Sequence, residues 1–199
     1  MDNESGEIYE TRGGSLEGFT NRTLPLLNSS DLMLINYYDD YNWGVPAGYD
    51  CSIGGQYLND YGQKKLIGML TGSKTRLLDG GTKPWLEAAL YYNNLGQLIQ
   101  TNSKNRFGQM NTTNNEYLFS GEITKETTTY RKSGQSDLTV INSYEYDHAG
   151  RKTKYKQQVT GNQEITLAEY VYDNLNRLVT KKFNQEFIME DLLLIIRLI

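Results

Sequence analysis

Three segments of this chain, "YYNNLGQL" from Tyr91, "YEYDHAGRK" from Tyr144 and "YVYDNLNRL" from Tyr170, share one grammar. An aromatic pair is followed by Asp or Asn, two variable residues, Gly or Asn, and then Gln or Arg. A shortened copy, "YLFSGEI" from Tyr117, keeps the aromatics Tyr117 and Phe119 and the glycine Gly121 and lacks two turn residues. With the second aromatic as marker, Tyr92, Phe119, Tyr146 and Tyr172 recur at intervals of 27, 27 and 26 residues, and "NYYDDYNW" places Tyr38 54 residues before Tyr92, two periods earlier. A repeat this short is one supersecondary unit, which must stack on its neighbours to bury its apolar side.

The shared residues specify a turn. Asp at position i accepts a backbone N–H two residues on, and Gly at i+3 enters the left-handed region as a bulge. Asp147-His148-Ala149-Gly150 fits that template, with Gly96 and Gly121 as the glycines of their own copies. In the last copy Asp173 opens the turn and Asn176 replaces the glycine, Asn being the non-glycine residue best able to adopt that conformation. The flanks alternate as strands do: Tyr144 and Tyr146 face away from Glu145, and Tyr170 and Tyr172 away from Val171. Beyond the turn, Arg151, Thr153 and Tyr155 fall on one side and Lys152, Lys154 and Lys156 on the other. Each repeat is therefore expected to be a hairpin with a buried Tyr row and a solvated row, paired edge to edge into an antiparallel ribbon.

Composition agrees. Sixteen Tyr, 19 Gly and only three Pro suit strands and tight turns, and 38 % apolar with 22 % charged residues argues against a disordered chain. The fold class expected is all-β. Net charge is −4, and the basic residues form no clustered stripe of the kind a nucleic-acid partner needs. Cys51 is alone, so no intrachain disulfide forms. "MDNESGEIYE" lacks the features of a signal peptide, and the longest apolar run, "LLLIIRLI", is too short to span a bilayer.

At these residues the chain resembles a known family. "YEYDHAGRK" and "YVYDNLNRL" look like the tyrosine-aspartate (YD) repeat of the RHS family, whose hairpins coil into a hollow shell in bacterial polymorphic toxins and insecticidal toxin complexes. The stretch from Leu70 to Thr101 and "INYYDDYNW" from Ile35 resemble neighbouring regions of large RHS-repeat proteins, so the likeness covers residues 31–184. The resemblance implies a secreted or cell-surface scaffold whose partner is the remainder of an RHS-type polypeptide or a toxin cargo, with no catalytic residue or cofactor to carry over. One departure stands out: Pro25, Pro46 and Pro84 follow Leu24, Val45 and Lys83, so the Asp-Pro-containing self-cleaving core segment is missing. The chain reads as a fragment of such a shell.

Other chemistry finds little support. Cys51 and His148, the only Cys and the only His, have no nucleophile motif around them, and neither a CxxC nor a second His exists for zinc. Adjacent Asp39 and Asp40 read as a turn, with calcium as the lesser reading. Gly72-Ser73-Lys74 lacks the spacer of a phosphate loop, and a hairpin ending at Asp79-Gly80-Gly81 is the plain reading. No enzyme is expected. The rival to a scaffold is a carbohydrate-binding module that stacks a cell-surface glycan on exposed Trp43 and Trp85. Three segments stand apart: residues 1–30 as a partly ordered start, 101–116 as a polar long loop or the far end of a hairpin, and 185–199 as an atypical apolar tail. That tail is either a short capping helix or edge strand, or the product of a frame change near Gln185.

Overall fold

Alternating side chains and turn residues at short intervals leave the chain one economical course, a meander in which each strand pairs with the one before it. The computed structural model has that form and describes residues 9–23, 25–53, 66–78, 81 and 83–184. It is all-β. A small hairpin, β1 (Arg12–Gly14) and β2 (Gly18–Phe19), precedes β3 (Leu34–Tyr38), β4 (Leu70–Arg76), β5 (Trp85–Tyr92), β6 (Leu98–Lys104), β7 (Met110–Tyr117), β8 (Ile123–Tyr130), β9 (Leu138–Tyr146), β10 (Lys152–Val159), β11 (Ile165–Tyr172) and β12 (Leu178–Phe183). The last ten strands form one antiparallel sheet in strict sequence order, with β3 and β12 at its edges. The apolar tail at 185–199, its capping helix, and Asp79 and Gly80 of the expected hairpin end lie outside the described residues.

Burial is concentrated at one end of this ribbon. Phe19, Tyr37 and Trp43 stack in series, with centroids 5.5 and 4.8 Å apart, and Tyr41 stacks on Tyr91 at 4.9 Å. Ile35, Tyr49, Ala89 and Ile99 complete the buried cluster, so the segment after β3 and the β1–β2 hairpin cover the sheet from β3 to β6. Gly72 makes this approach possible: a Cβ there would sit 2.2 Å from the Trp43 ring. Residues 12–19, assigned by the sequence to a partly ordered start, pack into this core: the Tyr37 hydroxyl donates to the Glu17 carbonyl, and Glu17 pairs with Lys74 at 3.1 Å.

Buried amides fix the cover. The side chain of Gln100 accepts from the Ser52 backbone N–H (2.8 Å) and donates to the hydroxyl of Ser52 and the side-chain oxygen of Asn114 (2.7 Å each). Asn102 donates to the carbonyls of Tyr49 and Asp50. Both amides are fully buried and bonded to a segment about fifty residues away in sequence, which ties the cover to the sheet, although the Asn102 side-chain oxygen is left without a partner.

Of the two readings of residues 101–116, the far end of a hairpin holds and the long loop does not. These residues contain the end of β6 and nearly all of β7, joined by a tight turn in which the Gly108 N–H bonds the Asn105 carbonyl and the Asn105 side chain accepts from Phe107 and Gln109. "NRFGQ" is thus another copy of the turn grammar, on the opposite rim of the sheet.

Candidate functional site

The repeated turns define the most regular surface of the molecule. At Asp147, Oδ1 accepts from the N–H groups of Ala149 and Arg151, the Gly150 N–H closes on the Asp147 carbonyl, and Oδ2 receives the Arg151 guanidinium at 2.6–2.7 Å. Asp173 repeats every contact with Leu175, Arg177 and Asn176. Asn93 does the same with Leu95 and Gln97, and its Nδ2 donates to the Gln97 side chain. The pairing rule follows from chemistry: a carboxylate at i selects a cationic fork at i+4, whereas a neutral amide selects another amide. The Arg151 guanidinium and the turn N–H groups hold the Asp147 carboxyl at about 2, and Asp173 is lowered by the same kinds of partner.

Gly96, Gly121, Gly150 and Asn176 all occupy the left-handed region, with φ of 75, 105, 74 and 63°. Their neighbours crowd two of these places, Gly96 and Gly150, and leave ordinary contact at Gly121. A Cβ at Gly96 would meet the Met69 methyl at 3.0 Å, one at Gly121 the Gln97 amide at 3.9 Å, and one at Gly150 the Glu122 carboxylate at 2.9 Å. At Asn176, Arg151 instead donates to the side-chain oxygen at 2.7 Å. Each turn therefore lays its i+4 side chain on the left-handed residue of the next, and the turns stack into a continuous rim.

Tyrosine hydroxyls lock that rim between hairpins. Tyr92 donates to the Leu70 carbonyl at 2.8 Å, Tyr117 to Leu98 at 2.7 Å and Tyr146 to Ile123 at 2.8 Å. These bonds correct the register of the shortened copy. Its turn is Leu118-Phe119-Ser120-Gly121, closed by Gly121 N–H to Leu118 carbonyl, so it lacks no residues. The marker is Tyr117, and the intervals from Tyr92 become 25, 29 and 26. Phe119 belongs to no Tyr row; it stands at the turn tip, fully exposed.

The alternation around the fourth turn also needs revision. A bulge between Lys152 and Lys154 shifts the register, and the Lys152 ammonium lies 3.9 Å above the Tyr144 ring on the aromatic side. Lys154 and Lys156 keep the charged side, both reaching Glu145. The Tyr row itself is half-buried: Tyr144 stacks laterally on Tyr155 at 5.2 Å, and Tyr155 and Gln157 both donate to Asn142, which donates to Glu126.

The rival glycan-stacking reading loses one of its two rings. Trp43 is 7 % exposed, enclosed by Tyr37 and Gly72, so no sugar can stack on it. Trp85 carries the Arg76 guanidinium 3.7 Å above its ring and donates from its indole N–H to Glu17. Asp39 accepts from the Gly68 N–H in the turn after β3, and Asp40 pairs with Arg12, so the two carboxylates serve separate structural contacts. Cys51 is half-buried beside the core, where burial pushes its thiol up. His148 sits exposed in its turn. Among the described residues, no group of three or more His, Cys, Asp or Glu side chains gathers as a metal site, and no helix is long and apolar enough to cross a membrane.

Compared with protein-family models and with curated proteins, the chain matches none. The arrangement is a ribbon of hairpins held in fixed order by its rim.

Proposed function

We propose that the chain is a structural and interaction scaffold, a segment of an RHS-type shell whose ribbon encloses or presents a toxin or other polypeptide. The supporting observation is the recurrent tie, in which a Tyr hydroxyl at the end of one hairpin binds the carbonyl that starts the returning strand of the hairpin before it. A linkage repeated at a fixed place lets a sheet grow hairpin by hairpin without a new core at each step, which is what a wall requires. On this reading the side chains serve geometry rather than catalysis, and the site of action is secreted or cell-surface.

Co-expression with the polypeptide encoded beside it tests this directly. That polypeptide should co-purify and resist a protease while bound, and lose its resistance when the scaffold is unfolded. Full protease sensitivity, together with saturable binding to a polysaccharide on a glycan array, would replace the scaffold with a carbohydrate-binding module.

A further inference from the structure

Five tyrosines hold one structural position. Tyr38, Tyr92, Tyr117, Tyr146 and Tyr172 each end an odd-numbered strand of the large sheet, each follows a register shift, and each pairs with the first residue of the next strand: Leu70, Leu98, Ile123, Lys152 and Leu178. The hydroxyl then seeks the partner of the preceding tyrosine, as Tyr92, Tyr117 and Tyr146 do. Tyr172 departs from the rule, its ring taking the Arg151 guanidinium at 4.8 Å.

Among the described residues, the two ends of this series are open. Tyr38 has no preceding hairpin, and among the described residues its hydroxyl makes no hydrogen bond, although Arg12 holds its carbonyl. Leu178, the first residue of the opposite edge, has the acceptor position with no following tyrosine. Charge differs in the same sense. Residues 177–184 contain Lys181 and Lys182, with Arg177 already paired to Asp173, while residues 31–42 contain Asp31 and Asp39, with Asp40 already paired to Arg12.

We infer that the two edges of the sheet are complementary, so that β3 of a second copy of this chain adds antiparallel to β12, with its Tyr38 hydroxyl on the Leu178 carbonyl. The contact joins unlike surfaces, so it does not close on itself. Copies add in a row, each repeating the step already made inside the chain. This inference rests on the internal register and is independent of the shell reading, which is tested by protection of a different polypeptide.

Sedimentation of the full chain over a concentration series reads it out. Oligomers should lengthen with concentration and shorten in high salt, which screens the charged edges. Tyr38→Phe should weaken association about fivefold, the loss of one hydrogen bond, with unchanged melting. Leu34→Lys blocks the β3 edge and Val179→Glu the β12 edge; both positions are exposed, so each variant should fold and stay monomeric. Mixed together, they should form a dimer and nothing larger, because one intact edge of each kind remains. A wild-type chain that stays monomeric at all concentrations, or association that survives in the Leu34→Lys, Val179→Glu double variant, overturns the inference.

Discussion

The sheet from β3 to β6 and the sheet from β8 to β12 use the same turns and the same register, yet they are stabilised differently. The first carries the stacked rings of Tyr37, Trp43, Tyr41 and Tyr91 beneath a covering segment. The second contributes nothing to that cluster. Its order comes from neighbouring strands: Val140 beside Val159, Tyr144 on Tyr155, and Lys156 with Glu145 and Glu164. Cross-strand pairs of this kind are worth about 0.2–1 kcal/mol each, against about 1.5–3 kcal/mol for one fully buried large apolar side chain. The comparison teaches that this repeat fixes shape locally and leaves depth of burial to whatever covers it.

The largest expected effect falls on the covered half. Trp43→Ala removes the ring between Tyr37 and Gly72 and should cost about 3–5 kcal/mol. Tyr155→Ala, in the uncovered half, should cost about 1–2 kcal/mol, because that ring is half-buried and stacked on one neighbour. Urea unfolding of both variants measures the difference. Equal losses would mean that the uncovered half has a core of its own.

Next comes the rim, which both halves share. Gly150→Val forces a β-branched residue to φ near 74° and sets its Cβ against Glu122, so it should destabilise by about 1–2 kcal/mol. Asn176→Gly keeps the backbone but gives up the Arg151 contact, and should change stability by about 0.5 kcal/mol or less. If Asn176→Gly loses as much as Gly150→Val, the stacking of turn on turn matters more than the turn conformation.

The rim was legible in the sequence because each of its residues answers a local demand. Asp147, Gly150 and Arg151 satisfy one another within five residues, and Asn176 substitutes for glycine by the same logic. Two errors had local causes as well. Phe119 was taken as the second aromatic because Leu118 had displaced the Asx that marks the turn, and "NRFGQ" was hidden in polar composition although Asn105, Gly108 and Gln109 spell the grammar. The cover was illegible for a different reason. Whether Trp43 is exposed depends on Gly72 and Tyr37, and whether Gln100 is buried depends on Ser52, contacts that no periodicity announces.

Tyr92→Phe and Tyr146→Phe compare the two halves with one atom removed from each. Both delete a hydroxyl bonded to a backbone carbonyl, and each should cost about 1 kcal/mol. The expected order is Tyr92 above Tyr146, because water can replace the lost partner more readily where, among the described residues, nothing covers the sheet. Acid offers a finer probe. The folded Asp147 carboxyl, at about 2, lies below its ordinary value of 3.8, so its contribution is present above pH 4 and disappears as pH falls through 2. Asp147→Asn keeps the turn acceptor, as Asn93 does, and should flatten the decline in melting temperature between pH 4 and 2.

The smallest effect tests whether the rim uses the only histidine at all. His148 is the second residue of its turn, its side chain is exposed, and neighbouring N–H groups, those of Ala149 and Gly150, make the turn bonds. Proline prefers this place in a type I turn, since its fixed φ matches and its missing N–H removes no bond found here. His148→Pro should therefore hold stability within about 0.5 kcal/mol of the wild type, or raise it by restricting the unfolded chain. Melting curves and the sedimentation series should overlay those of the parent. A fall of more than about 1 kcal/mol would show that Asp147-His148-Ala149-Gly150 leaves type I geometry in solution. A loss of partner binding with stability intact would instead give the histidine a role on the rim that its position in the turn does not require.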